Sequence, residues 1–326
     1  MKILNMVKAY FKRYGGILAA LLILCIALSF VSPAFATQNN WINILRQISI
    51  NALIAFGITQ LIIVGGIDLS VGGVVAMSGC TSVVLINSGM PVAIAVILAL
   101  LTGLLAGLIN GFCVTVVKIV PFVVTLASFN IYSGLAYVVS NGSSVACKNI
   151  AFSKLGTGYI GAVPVPVIVM GVIMLLCWLI MNKTVLGQHI YATGGNERAA
   201  EYAGINTKKT RMFCYSLCGV LAAIAGVVLA AKMYSGQPTV GVGYEGDAIA
   251  ASVLGGVSFE GGAGTIGGTL IGAIVIGVIS NGLNLVGASY QTQLIAKGII
   301  ILIAVGIDTL KKEHVFNNLF GKVKNV

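Results

Sequence analysis

Few side chains in this 326-residue chain are equipped for chemistry, and their spacing excludes most of it. The two histidines, His189 and His314, stand apart in polar segments, with no nucleophile elbow and no His-Glu-x-x-His pattern beside them. No Gly-x-x-x-x-Gly-Lys-Ser/Thr phosphate loop is present, so the chain cannot hydrolyse ATP by that route. A Gly-x-Gly-x-x-Gly string at Gly241, Gly243 and Gly246 follows Pro238 rather than a strand, and reads as a flexible loop rather than a dinucleotide site. The 7 cysteines are an odd number without a Cys-x-x-Cys pair, which argues against a disulfide framework. Cys214 and Cys218 share a helix face, but no histidine is near them in sequence, and packing explains them better than metal binding. No catalytic residue and no metal ligand is predicted, and the chain is not expected to be an enzyme.

The remaining polar groups suit binding or transport. Asp68, in Gly-Gly-Ile-Asp-Leu-Ser-Val-Gly-Gly, is the one acidic residue between long apolar runs. A carboxylate there either holds a coupling ion or caps the helix that begins near Leu69. Lys297, inside the last apolar run, either faces a wet cavity or snorkels to the membrane surface. Glu245 and Asp247 are predicted in an outer loop, where they either receive basic residues of a partner or are simply solvated. In the stretch Asn196 to Gly204, Asn196 can cap a short helix, Glu197 favours its first turn and Gly204 can end it. Arg198, Ala199, Ala200, Glu201, Tyr202 and Ala203 lie between. Their small side chains and single aromatic fit either a solvated loop helix or a peg that docks in a partner's groove.

What must position these groups is set by composition. The chain is 58% hydrophobic and 8% charged, has 42 glycines and a mean hydropathy of +1.03. A soluble domain carries roughly a quarter charged residues, so lipid must be the outer solvent here. Charges cluster and leave uncharged runs from Tyr14 to Leu45, Gln47 to Ile67, Leu69 to Val117, Ile119 to Cys147, Leu155 to Asn182, Met212 to Ala231 and Gly261 to Ala296. Roughly 20 helical residues cross a bilayer core, and backbone in lipid must satisfy its own hydrogen bonds. The predicted fold is therefore all-α, a polytopic helical membrane protein forming a single transmembrane domain over 1–326.

The net charge of +11 reports orientation rather than nucleic-acid binding, because basic residues sit at the two ends and in one loop. By the positive-inside tendency the leader with Lys2, Lys8, Lys12 and Arg13, the loop 182–211 and the tail 308–326 are cytoplasmic. Both termini inside requires an even number of spans. Spans are read near 17–34, 48–67, 70–88, 91–117, 122–140, 163–181, 212–231, 265–284 and 288–307. The short stretch Ala248 to Phe259 supplies half of a broken tenth span. Ten is the expected count, with eight as the alternative if that stretch only dips in and the pair around 70–90 is re-entrant. Ala34, Phe35 and Ala36 resemble a signal-peptide cleavage site, but the long apolar run before them favours a retained span. The frame Gly255 to Gly262 echoes that around Asp68 and suggests an internal repeat with broken helices. The faces Gly103, Gly107, Gly111 and Gly264, Gly268, Gly272 predict close helix approach.

Several ordered stretches closely resemble the permease subunits of ribose-type ABC sugar importers. They are the frame around Asp68, Gly194-Gly195-Asn196-Glu197 through Ala203-Gly204-Ile205-Asn206, Tyr215 to Gly219, Gln237-Pro238-Thr239, Gly243-Tyr244-Glu245, Asp247 to Ala251, and Asn281-Gly282-Leu283-Asn284-Leu285. The likeness runs from about Phe35 to Asp308. It implies a multi-pass protein of the bacterial inner membrane, paired with a second permease copy, identical or not. It also implies an extracytoplasmic sugar-binding protein and a cytoplasmic ATP-binding cassette subunit that holds ATP and Mg, with no cofactor in this chain. On the same resemblance Asn196, Glu197, Arg198, Ala199, Ala200, Glu201, Tyr202 and Gly204 transmit cassette closure. The sequence departs from maltose-type permeases in the inserted Arg198 and the missing Leu-Pro. Candidate path residues with hydroxyl-binding groups are Thr125, Ser128, Asn130 and Ser133 on one span and Asn281 and Asn284 on another, with Asp68; each either lines a path or stitches helices together. An ion-coupled carrier, a permease for a nucleoside or other small polar solute, and a non-transport scaffold are the competing readings. The sugar itself is not identified by the residues.

Overall fold

A computed structural model describes residues 2–312 of the chain; the tail from 313 onward, with His314, lies outside the described residues. The elements run α1 (Lys2–Val31), α2 (Gln38–Ile63), α3 (Val71–Asn87), α4 (Val92–Thr115) and α5 (Pro121–Val139). They continue with α6 (Ile150–Thr157), α7 (Val165–Lys183), α8 (Val185–Gly195), α9 (Glu197–Tyr202), α10 (Thr207–Met233), α11 (Tyr244–Leu254), α12 (Ile266–Leu285) and α13 (Tyr290–Lys312). The strands are two-residue pairings: β1 (Val145–Ala146) with β4 (Ser235–Gly236), and β2 (Tyr159–Ile160) with β3 (Val163–Pro164). The fold is all-helical, as the composition required.

Among the described residues, 7 helices are long and apolar enough to cross a membrane: Tyr14–Val31 of α1, then α2, α4, α5, α7, α10 and α12. α3 is apolar but shorter. Burial sorts these helices. In the most apolar window, 72% of the residues of α2 and of α10 are buried, against 6% for α1 and 17% for α7. α2 and α10 thus form the axis of the bundle, while Leu22, Ile23, Phe30, Val138 and Val172 point outward, as a lipid solvent demands.

Local sequence explains most boundaries. Thr37, Asn149, Thr184, Asn196, Asn206 and Thr265 each accept a backbone N–H in the first turn of the helix that follows. α5 opens on Pro121, where a missing N–H costs nothing.

Between α10 and α11 the chain departs from the predicted flexible loop. Tyr234 turns the backbone at φ 55, and β4 pairs with β1. Gly236 then lies against Cys80 in the middle of α3, and Gly241 against Gly72 near its start. An extended leg therefore runs along α3 before the half-length α11 begins. Where a broken element was expected over Ala248 to Phe259, a short helix occupies Tyr244–Leu254, and a glycine-rich turn follows it. Gly243, at φ 89, makes the turn into the helix, and the pairing of Asp247 with Lys297 lets the carboxylates sit in its first turn.

The small-residue faces do what their spacing predicted. Gly103 packs against the Gly219 carbonyl and Gly219 against that of Gly103, so α4 and α10 meet backbone to backbone. Gly268 and Gly272 lie likewise against Gly255 and Ala251. Because a side chain at either position meets rigid backbone, Gly219→Val is expected to destabilise by about 1–3 kcal/mol. A lowered thermal unfolding midpoint in detergent would show it, and an unchanged midpoint would refute the close contact.

Candidate coupling surface and translocation pathway

One end of the bundle gathers α8, α9 and the ends of α2 and α11. The Gly262 N–H donates to the Ile63 carbonyl at 2.8 Å, and Tyr191 Oη donates to the Gly264 carbonyl at 2.9 Å. α9 is the predicted two-turn helix with the predicted ends. Asn196 Oδ1 accepts the Ala199 N–H at 3.0 Å. At the other end Gly204, at φ +83, donates to the Glu201 carbonyl, and the Ile205 N–H closes back on Ala200.

The eight residues assigned to this helix divide by direction. Glu197 forms an ion pair with Arg211 at 2.8 Å, and Glu201 accepts the Thr207 hydroxyl at 2.9 Å, so both carboxylates tether α9 to the start of α10. Arg198, Ala199, Tyr202 and Gly204 are exposed, Tyr202 at 92%. Ala200, by contrast, is buried at 5%, on the side of the helix that seats it against the bundle. Beside α9, a cavity of about 530 Å³ is lined by Lys118, Arg198, Lys208 and Arg211 together with Glu197 and Glu201.

The candidate path residues do not share one surface. Ser128 donates to Asn110 Oδ1 at 2.7 Å, Tyr132 Oη reaches the same oxygen at 3.3 Å, and Asn110 donates to Ser70 Oγ at 2.8 Å. Asp68 completes this network. Its Oδ1 accepts the Ser70 N–H at 2.8 Å and the Ser70 hydroxyl at 2.6 Å, and the residue is 1% exposed. Thr125 is buried and donates to the Pro121 carbonyl of its own helix. Asn281 and Asn40 exchange two amide hydrogen bonds of 3.0 and 2.8 Å and join α12 to α2. In this conformation Asp68, Thr125, Ser128 and Asn281 are buried and hydrogen-bonded within or between helices. Asn130 and Asn284 are exposed and Ser133 is half-buried. Asn130 donates to the Leu126 carbonyl, and Asn284 accepts from Gln293.

A different polar site was not anticipated. Asp247, predicted on a solvated loop, is 9% exposed in the first turn of α11, and its Oδ2 accepts from Lys297 Nζ of α13 at 2.6 Å. Glu245, half-buried beside it, accepts the Gly243 N–H at 3.0 Å. Neither carboxylate stands free on a solvated loop: both lie in the first turn of α11 and are hydrogen-bonded. Lys297 faces a cavity rather than snorkelling: with Gln47, Asn51, Tyr244, Asp247 and Leu294 it lines a space of about 270 Å³. Asn51 and Gln47 stood in an apolar run as polar residues one helical turn apart, and that spacing was the available signal.

Comparison with known proteins places the chain among membrane permeases. The family of branched-chain amino acid transport system permease components matches residues 40–305. The chain belongs to this family. Among its relatives, the ribose import permease protein RbsC of Bacillus subtilis (strain 168) is 47% identical over 298 residues, 91% of this chain and 92% of the relative. The L-arabinose transport system permease protein AraH of Escherichia coli (strain K12) is 39% identical, covering 91% of both chains. The D-allose transport system permease protein AlsC of the same strain is 36% identical over 92% of this chain and 93% of its own. No solved structure matches. This permease is thus a transport subunit rather than an enzyme, and a multi-pass membrane protein.

Proposed function

We propose that this permease forms the translocation path of an ATP-driven ABC importer for a monosaccharide, with ribose the first substrate to test. The likeness over nine-tenths of the chain to a ribose import permease carries the reading, and relatives named for arabinose and allose keep the substrate class at monosaccharides. In this reading the chain pairs with a second permease copy and receives sugar from an extracytoplasmic binding protein. A separate cassette subunit binds ATP and Mg and docks on the exposed face of α9. The leader, the loop 182–211 and the tail 308–326 face the cytoplasm. Ten crossings follow if α3, the leg-plus-α11 element and α13 are added to the 7 long spans. The binding protein docks at the outer mouth, with Glu245 and Asp247 the carboxylates nearest the path there.

Transport needs two states biased by ATP. Cassette closure pulls on α9, and α9 is tied to α10 through Glu197–Arg211 and Glu201–Thr207. α10 is the most central helix, so its motion reaches α2, α3 and α4 together. The test is to extract the tagged permease in mild detergent, identify what co-purifies, and reconstitute the complex with its binding protein. A tandem-cassette ATPase and ATP-dependent uptake of D-ribose, L-arabinose or D-allose are expected. Uptake driven by an ion gradient without any ATPase would replace this reading with a secondary carrier.

A further inference from the structure

The cavity beside Lys297 does more than separate helices. Gln47 and Asn51 come from α2, Tyr244 and Asp247 from the first turn of α11, and Leu294 and Lys297 from α13. Gln47 lies nine residues into α2, about 14 Å along its axis at roughly 1.5 Å per residue, so the cavity is inside the bundle and not at its rim. Gly243, Gly246 and Gly298 also border it, and their missing side chains leave room. The volume of about 270 Å³ falls just under the ~300–1,000 Å³ of pockets that take drug-sized ligands. It suits one small polar molecule.

Its hydrogen bonds are unfinished in one respect. Asn51 is 6% exposed, and its Oδ1 has no partner. A buried amide oxygen left unpaired is unfavourable unless something else donates to it. The lysine ammonium has three protons, of which Asp247 Oδ2 takes one. The cavity therefore offers further cationic donors and apolar contact from Tyr244 and Leu294, and the unpaired Asn51 Oδ1 lies buried in its lining.

We propose that this cavity is a transit site that holds the hydroxyls of the transported sugar. The proposal deepens the importer reading and rests on it. A sugar hydroxyl accepts from Lys297, a neighbouring hydroxyl donates to Asn51 Oδ1 once that buried amide turns toward the cavity, and the ring's C–H surface lies on the apolar wall. Because Asp247 and Lys297 already satisfy each other, an arriving sugar gains few new bonds. The site binds weakly, as a transit site must if it is to release its cargo.

The rival explanation is a structural staple: an ion pair that only ties α13 to α11. The two are separable, since replacing a buried ion pair by apolar side chains of similar size is often neutral for folding. The experiment measures ATP-dependent D-ribose uptake by the reconstituted complex at saturating binding protein, for wild type, Asn51→Leu and the double variant Asp247→Leu with Lys297→Met. Co-purification of the ATPase checks that each variant is assembled. The transit site requires the turnover of Asn51→Leu to fall about tenfold, the effect of one lost hydrogen bond, and the double variant to fall at least as far. Wild-type uptake by both assembled variants would overturn the site and leave a staple. If the double variant fails to assemble, Asn51→Leu decides alone. Failure of the importer reading looks different, because then the wild-type complex itself takes up no sugar.

Discussion

Replacing Asp68 by alanine is expected to lower the stability of the bundle by about 2–3 kcal/mol, seen as a lower unfolding midpoint in detergent and less assembled protein in the membrane. The carboxylate is buried and holds both the backbone N–H and the hydroxyl of Ser70. Removing it orphans those donors, each at about 1–3 kcal/mol, and part of that is offset because a buried charge disappears. The damage spreads, since Ser70 Oγ also anchors Asn110, and Asn110 in turn holds Ser128 and Tyr132 of α5. Asp68→Asn keeps an acceptor oxygen for Ser70 and is expected to recover at least half of the loss, with uptake largely retained. This contrast separates the two roles open to an acidic residue between apolar runs. If Asp68 carried a coupling ion, the asparagine variant would be stable but inactive, and that outcome would refute a purely structural role.

The same residue shows how far the sequence could be read. Its position beside the start of a helix was visible in the chain, because an Asp before an apolar run is a local signal. Its partner was not. Asn110 is 42 residues away, toward the C-terminal end of α4, and nothing local distinguishes it from any polar residue in a span. Distance in sequence hid the other polar contacts as well: Asn40 meets Asn281 across 241 residues, and Asp247 meets Lys297 across 50. Elements whose causes are local were legible, from the uncharged runs that became long helices to the cap at Asn196 and the stop at Gly204. The early start of α11 was not, because two carboxylates in three residues argue for water. What overrules them is the pairing of one carboxylate with a lysine on another helix. Buried amides and carboxylates in such a bundle are placed by tertiary partners, so a list of polar residues in spans contains the site without identifying it.

Gly204→Pro is expected to abolish coupled uptake while the bundle still inserts, the largest functional effect of a single change outside the core. The native residue sits at φ +83, a conformation proline cannot adopt because its ring holds φ near about −65°. The substitution also removes the N–H that donates to the Glu201 carbonyl. The end of α9 then opens, and the Ile205 N–H loses its geometry toward Ala200. Glu201 and Thr207 no longer tether the peg to α10, so closure of the cassettes moves a slack segment. Asparagine tolerates the left-handed region, so Gly204→Asn is expected to stay within about twofold of wild-type uptake, with Gly204→Ala between the two. No side chain of residue 204 is needed at the surface, so this ordering by backbone conformation distinguishes a helix stop from a contact residue. The complementary change is Tyr202→Ala, which removes the most exposed aromatic of the peg and leaves the helix end intact. It should weaken ATPase co-purification by about tenfold, because buried aromatic anchors carry much of an interface's binding energy. Equal uptake across all three Gly204 variants, together with undiminished ATPase recovery from Tyr202→Ala, would mean that force enters the permease elsewhere, and the exposed basic cluster of Lys118, Arg198 and Lys208 would be the next surface to test.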